Sequence, residues 1–310
     1  DVYKRQARSS MFRWFECFHG GMRTIIAATV LVAVALSGGC STVDEPDSLV
    51  DEAGYHVRDN AVYYLNPFPG KAFEIDDADA ASFDIIDRTY ARDSGQVYIN
   101  GYPLPGAQPG SFELLERPGF AKDSRRVYQH DQPISTDPGH FELLPGGLSK
   151  DSSRVYAPDG AVLSHDPAEF EIVSDEDDYL FAEDGGSVYV NNRPIRGASP
   201  STFEVLSGGY SRDAERAFYF DRQITDADVT SFRVIEGPYA VDSQRVYWMG
   251  EVIAGADPAS FEVLNANFEC SADDAHAFYR QTTIPGVRPA TFPPDSEVVG
   301  CSPTSISFAD

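Results

Sequence analysis

From position 83 onward the chain repeats one short pattern of apolar and polar positions. A Phe recurs at Phe83, Phe112, Phe141, Phe170, Phe203, Phe232, Phe261 and Phe292, in steps of 29, 29, 29, 33, 29, 29 and 31 residues. Seven of these eight are followed by one charged and two apolar residues, as in Phe112-Glu113-Leu114-Leu115 and Phe203-Glu204-Val205-Leu206; Phe292 is followed by Pro293-Pro294. A segment this short, alternating and rich in branched residues predicts a strand of a few residues. Self-similarity at such a period identifies a tandem array of about eight units of ~29 residues.

A second register fixes the rest of each unit. An Asp with an aromatic five residues later occurs as Asp59/Tyr64, Asp93/Tyr98, Asp123/Tyr128, Asp151/Tyr156, Asp184/Tyr189, Asp213/Phe218, Asp242/Tyr247 and Asp273/Phe278. An aromatic three residues before the Asp, as at Tyr90 and Tyr239, predicts a second strand. The Asp predicts an Asx-type turn, and the Val-Tyr step that follows predicts a third strand. Asn100-Gly101 and Asn191-Asn192 suit a two-residue hairpin turn into a fourth short segment. Asp-Pro pairs such as Asp257-Pro258 predict one helical turn before the next Phe, with Asp as cap and Pro in the first helical position.

One such unit cannot bury its aromatic face, so neighbours must stack. The predicted fold is all-β: a solenoid-like stack of short hairpins, with a closed β-propeller as the alternative. Units of ~29 residues are short for ordinary propeller blades, which favours the open stack.

The segments D-x-x-x-V-Y, I-x-G-A-D-P and F-E-V-L resemble the DKNYY family of bacterial repeat proteins. Asp242-Ser243-Gln244-Arg245-Val246-Tyr247-Trp248 is similar to its signature, with Trp248 in place of the second Tyr, and Phe218-Tyr219 keeps the aromatic pair. The resemblance spans roughly residues 55–292. It implies an envelope-associated repeat protein and assigns no chemistry.

The N-terminal part reads differently. Residues 1–10 read as a non-native leader, and residues 11–39 as a signal peptide starting at Met22. Arg23 supplies a positive charge, Ile25 to Leu36 an apolar run too short to span a bilayer, and Ser37-Gly38-Gly39 a small-residue stretch before Cys40. This resembles a lipobox, although Leu36 stands four residues before the Cys, where the pattern usually has three. It implies lipidation of Cys40, including a palmitate-type acyl chain, and a membrane partner through that anchor. The Ser41 that follows resembles the outer-membrane sorting pattern. The expected location is therefore the outer membrane, facing the periplasm or cell surface. Residues 40–54 read as an acidic tether, 55–292 as the repeat domain and 293–310 as a C-terminal tail.

Charge narrows the partners. The net charge is −25, and about −28 once residues 1–39, with five basic and two acidic groups, are removed. Such a surface repels phosphate backbones, so no nucleic-acid partner is expected. The acidic stretch Ser174-Asp175-Glu176-Asp177-Asp178 coincides with the 33-residue step and reads as a protruding loop between units.

The chemistry-bearing residues are sparse. The repeated Asp residues could form a carboxylate ladder for Ca²⁺. Basic neighbours, including Arg126, Arg154, Arg216 and Arg245 three residues on, favour turn capping and local ion pairing instead, so no metal and no cofactor is expected. His130, His140 and His165 occupy unrelated positions in their units, and no nucleophile elbow, phosphate loop or zinc motif occurs, so no catalytic residue is assigned. Trp248, Tyr102 and Tyr219 lie outside the clearest core registers and are the candidates for stacking on a sugar. Cys270 stands where other units carry the aromatic, and Cys301 lies in the tail; these two are expected to form a disulfide in an oxidising compartment. Together these features predict a non-catalytic envelope lipoprotein acting as an interaction scaffold, its unknown partner a protein or a glycan. Polysaccharide binding is the alternative, and a periplasmic hydrolase a distant third.

Overall fold

The computed structural model describes residues 46–47, 51–176, 179–294 and 296–309. Cys40 lies outside them, as do most of the signal and tether segments. Among the described residues, nine small antiparallel sheets follow one another along the chain. The first has three strands (54–74), the next seven have four each (84–103, 113–135, 142–164, 171–194, 204–224, 233–252 and 262–283), and the last is a hairpin (298–308). Each four-stranded sheet is a meander in chain order, none closes into a barrel, and the fold is the all-β stack of hairpins.

Each unit takes this shape because one carboxylate collects the turn between its second and third strands. Asp123 Oδ1 accepts from the backbone N–H groups of Arg125 (2.7 Å) and Arg126 (2.9 Å). Its Oδ2 accepts from Tyr128 Oη (2.9 Å) and from the N–H of Gln108 (2.9 Å), in the linker that precedes the unit. The same set recurs around Asp93 and Asp242. At Asp151 and Asp184 the donor in that place is a hydroxyl at the end of the preceding sheet, Ser135 or Ser164, at 2.6 Å. All these carboxylates are buried. Burial pushes the Asp151 carboxyl up, but the Ser135, Tyr156 and Ser153 hydrogen bonds outweigh it and hold the group at about 2. The Asx turn read from the sequence is therefore also a clamp on the linker. Asp59 departs from the series: it is exposed, with φ 49°, as the first residue of a two-residue hairpin turn.

The repeat Phe residues bridge consecutive sheets. Phe112 packs between Tyr90 of the preceding unit (5.6 Å between ring centroids) and Tyr128 of its own (6.1 Å). Phe83, Phe141, Phe232 and Phe261 repeat the arrangement. The result is a run of aromatic contacts between sheets, interrupted at Leu148 beside Phe170, rather than one central core. Burying each ring contributes roughly 1.5–3 kcal/mol, so stability is spread along the stack.

Buried tyrosine hydroxyls tie the same sheets together as well. Tyr210 Oη donates to Pro238 O (2.8 Å) and accepts from Gly250 N–H (3.0 Å), both in the next unit. Phe120 has no hydroxyl, and two neighbours substitute for it. Arg117 donates to Leu144, Gly147 and Leu148 carbonyls, and Gln129 Nε2 donates to Pro158 O at 2.6 Å.

Two sequence expectations are corrected here. Single 3-10 turns do precede the Phe, over Pro109–Ser111, Pro200–Thr202 and Pro289–Thr291, but they follow Gln108, Ser199 and Arg288, whose side chains make no capping bond. At Asp257-Pro258 the expected Asp cap is present, Oδ1 accepting from Ala259 N–H at 3.0 Å, over a turn that is not helical. The acidic stretch is not a loop between units: Glu171–Glu176 is one strand, paired through Ser174↔Phe181, Asp175↔Leu180 and Glu176↔Tyr179 within the fifth sheet. Asp177 and Asp178 lie outside the described residues. The tail also carries structure, since 298–308 forms a hairpin. Cys301 on it is joined to Cys270 with Cα atoms 5.8 Å apart, and Asn265 Nδ2 donates to Val298 O at 3.0 Å.

Candidate functional site

The regular units leave little relief, and the largest departure from them builds a groove. The first strand has two residues in the third and sixth sheets but six, Glu171–Glu176, in the fifth. The fifth hairpin thus stands above its neighbours as a wall. Against it lies a cleft of about 500 Å³ lined by Val173, Glu176, Tyr179, Phe181 and the turn Val205 to Gly208. A second cleft of about 550 Å³ shares Tyr179, Ser207 and Gly208 and continues over Gly237-Pro238, Met249, Ala266-Asn267 and Glu269. The two overlap and form one groove across the fifth to eighth units.

Small residues make its floor. A methyl group on Gly208 would lie 2.5 Å from Gly237 O, so the turns of the sixth and seventh sheets touch through backbone. Bulky residues in the left-handed region, where β-carbons are strained, stand beside it: Phe220 at φ 51°, Met249 at 49° and Glu269 at 57°. Phe220 meets Tyr179 edge-on at 4.9 Å. No local pattern predicts these turns, because Phe-Asp and Met-Gly carry neither the Asn-Gly nor the Gly-Gly signal.

The electrostatics of the fifth sheet are also exceptional. Where the second, third, fourth and sixth sheets place an acid opposite a base (Asp84/Arg92, Glu113/Lys122, Glu142/Lys150, Glu204/Arg212), the fifth places Glu171 opposite Glu183. Burial, then the Glu171 charge, raises the Glu183 pKa.

The sequence-selected aromatics do not come together. Tyr102 is 64% exposed and packs one face near Phe73, 5.3 Å between centroids. Trp248 is half-buried, with Arg280 over its ring at 5.5 Å and an indole N–H that makes no hydrogen bond. Tyr219 is 9% exposed, with Tyr210 and Phe220 each 4.8 Å from its ring, and it lines the groove. The histidines stay apart. His140 is exposed and paired with Asp137 at 2.8 Å, which raises its pKa, while His130 is a hairpin-turn residue with φ 55°.

The Arg residues three beyond the Asp reach the linker more than the carboxylate. Arg216 donates to Gly197 O at 2.5 Å and stands 3.8 Å from Asp213, and Arg245 donates to Asp226 O. The clamp carboxylates, with oxygens occupied by N–H and O–H donors, are framework. No group of three or more potential metal ligands occurs among the described residues.

Comparison with known proteins agrees with the repeat geometry. The model of the DKNYY family matches residues 55–222 and, overlapping, 148–282. The chain belongs to the DKNYY family. Two overlapping matches are what a DKNYY array longer than one model produces. Their span takes in the clamp residues Asp93 to Asp273 and the whole groove, and stops short of the terminal hairpin. No curated protein and no solved structure matches the chain.

Proposed function

We propose that this DKNYY protein is a non-catalytic interaction scaffold of the cell envelope, which holds a partner in the groove beside the fifth hairpin. The supporting observation is that the unit with the longest step, 33 residues, also raises the wall of the groove. A framework that uses its Asp and Tyr residues for folding keeps such a departure free for binding.

The lipobox-like segment ending at Cys40 supports attachment to the outer membrane through lipid, with the array facing the periplasm or cell surface. No helix among the described residues is long and apolar enough to cross a membrane. Palmitate labelling of the expressed protein, lost in Cys40→Ala, tests the anchor. A photo-crosslinking residue at Ser207, compared with one at Gln132, tests the scaffold reading in native envelopes. The expected result is a discrete adduct from Ser207 alone; equal or absent adducts at both positions would overturn it.

Glycan binding is kept as a second reading on one observation, the open ring of Tyr102 beside Phe73. Polysaccharide retention abolished by Tyr102→Ala and unaffected by a blocked groove would favour it.

A further inference from the structure

We infer that the groove takes an extended, basic peptide segment of a partner protein, an inference that rests on the scaffold reading above. Shape and charge lead there independently. The groove crosses four successive units. At a sheet spacing of about 10 Å that gives a track of roughly 30 Å, the length of about nine extended residues. Its floor is turn backbone and small side chains, Ser207-Gly208, Gly237 and Ala266, which admit a main chain at close range. Tyr179 and Met249 offer apolar contact to aliphatic stems, as lysine and arginine side chains require.

The charge is one-sided. Glu176 faces the groove and Asp175 precedes it on the exposed wall, whereas Glu171 and Glu183, paired lower on the same hairpin, line a separate cleft. At the far end Arg280 is held by Glu269 at 2.6 Å, so that cation is already paired. A basic segment meets complementary charge along the wall, whereas an acidic segment or a phosphate chain meets repulsion.

The test uses the mature repeat protein and a fluorescein-labelled decapeptide alternating Lys with Leu and Ser, against a Glu-for-Lys counterpart and a neutral hexasaccharide. Anisotropy should rise with the Lys peptide alone, and affinity should fall as salt is raised. Asp175→Asn/Glu176→Gln should weaken binding about tenfold, which corresponds to ~1.4 kcal/mol. Ser207→Trp, at an exposed lining position, should block it, while Asp76→Asn/Asp77→Asn, far along the array, should leave it unchanged. Circular dichroism and thermal midpoints confirm that each variant is folded. Equal weakening by the two charge-neutralised pairs would show nonspecific attraction to an acidic surface and overturn the inference. So would hexasaccharide binding that Ser207→Trp blocks. No peptide binding, combined with a persistent Ser207 crosslink in envelopes, would overturn the basic-segment inference and leave the scaffold reading standing.

Discussion

Asp151 and Tyr156, five residues apart, meet at 2.6 Å through Oδ2 and Oη, and Ser135 Oγ reaches the same carboxylate oxygen from the last strand of the preceding sheet at 2.6 Å. This one carboxylate joins turn, strand and the preceding sheet. A carboxyl held below its unfolded value stabilises the fold fully above that value, and the contribution is lost as pH falls through the folded value. For Asp151 the window runs from about pH 4 down to about 2, and Asp93, Asp123, Asp184, Asp242 and Asp273 are shifted in the same direction. Denaturant melts between about pH 5 and pH 2 should show stability falling steeply with acid. Asp151→Asn should be less stable at neutral pH and show a shallower acid slope. An unchanged slope would show that the carboxylate contributes little.

The sixth and seventh units differ by one hydroxyl at the clamp. Tyr247 donates to Asp242 at 2.6 Å, whereas Phe218 stands at the same position beside Asp213. Tyr247→Phe should cost about 1.5–3 kcal/mol, the range for a hydrogen bond to a charged group. Phe218→Tyr should recover part of that, because Asp213 Oδ2 already accepts from Ser199 N–H at 3.0 Å. Urea midpoints of the two variants should move in opposite directions; movement in the same direction would mean packing outweighs the hydroxyl.

The run of aromatic contacts is unevenly buried. Phe232 is 3% exposed, while Phe141, in the same register, is only half-buried. Phe232→Ala should destabilise by about 3–5 kcal/mol and Phe141→Ala by clearly less. Thermal midpoints compared side by side check the order.

Cys270–Cys301 closes a loop of 31 residues in sequence separation and holds the terminal hairpin on the eighth sheet. Cys301→Ser should cost about 2–4 kcal/mol. Hydrogen exchange should rise first in 298–308 and the eighth sheet, with the fifth sheet unaffected. Uniform loss of protection would mean that the hairpin does not fold as a separate cap.

Much of this frame was legible because each unit repeats its own evidence. The Phe and Asp registers mark strands and turns seven times over, and Asn100-Gly101 and Asn191-Asn192 mark hairpin turns with residues that tolerate the left-handed region. Asp59 was misassigned because spacing alone does not reveal whether an Asp side chain is buried against a linker. The groove was hidden for another reason. Its wall is written as a run of acids, which reads as solvated loop, and alternation with Ile172, Ser174 and Tyr179 was too weak to signal a lengthened hairpin. Its floor arises from contact between turns of different units, such as Gly208 on Gly237, which no local pattern records.

The ties between sheets also set how the molecule can be made. The hydroxyl bonds from Tyr55, Tyr90 and Tyr210 to the following unit, the Arg117 and Gln129 bonds and the disulfide all join residues between 27 and 46 positions apart. Few native contacts have to wait for a distant part of the chain, and folds of that kind form quickly. A chain that emerges from its N-terminal end can therefore settle one unit at a time, each newly emerged sheet docking on the one before it while the rest is still to come.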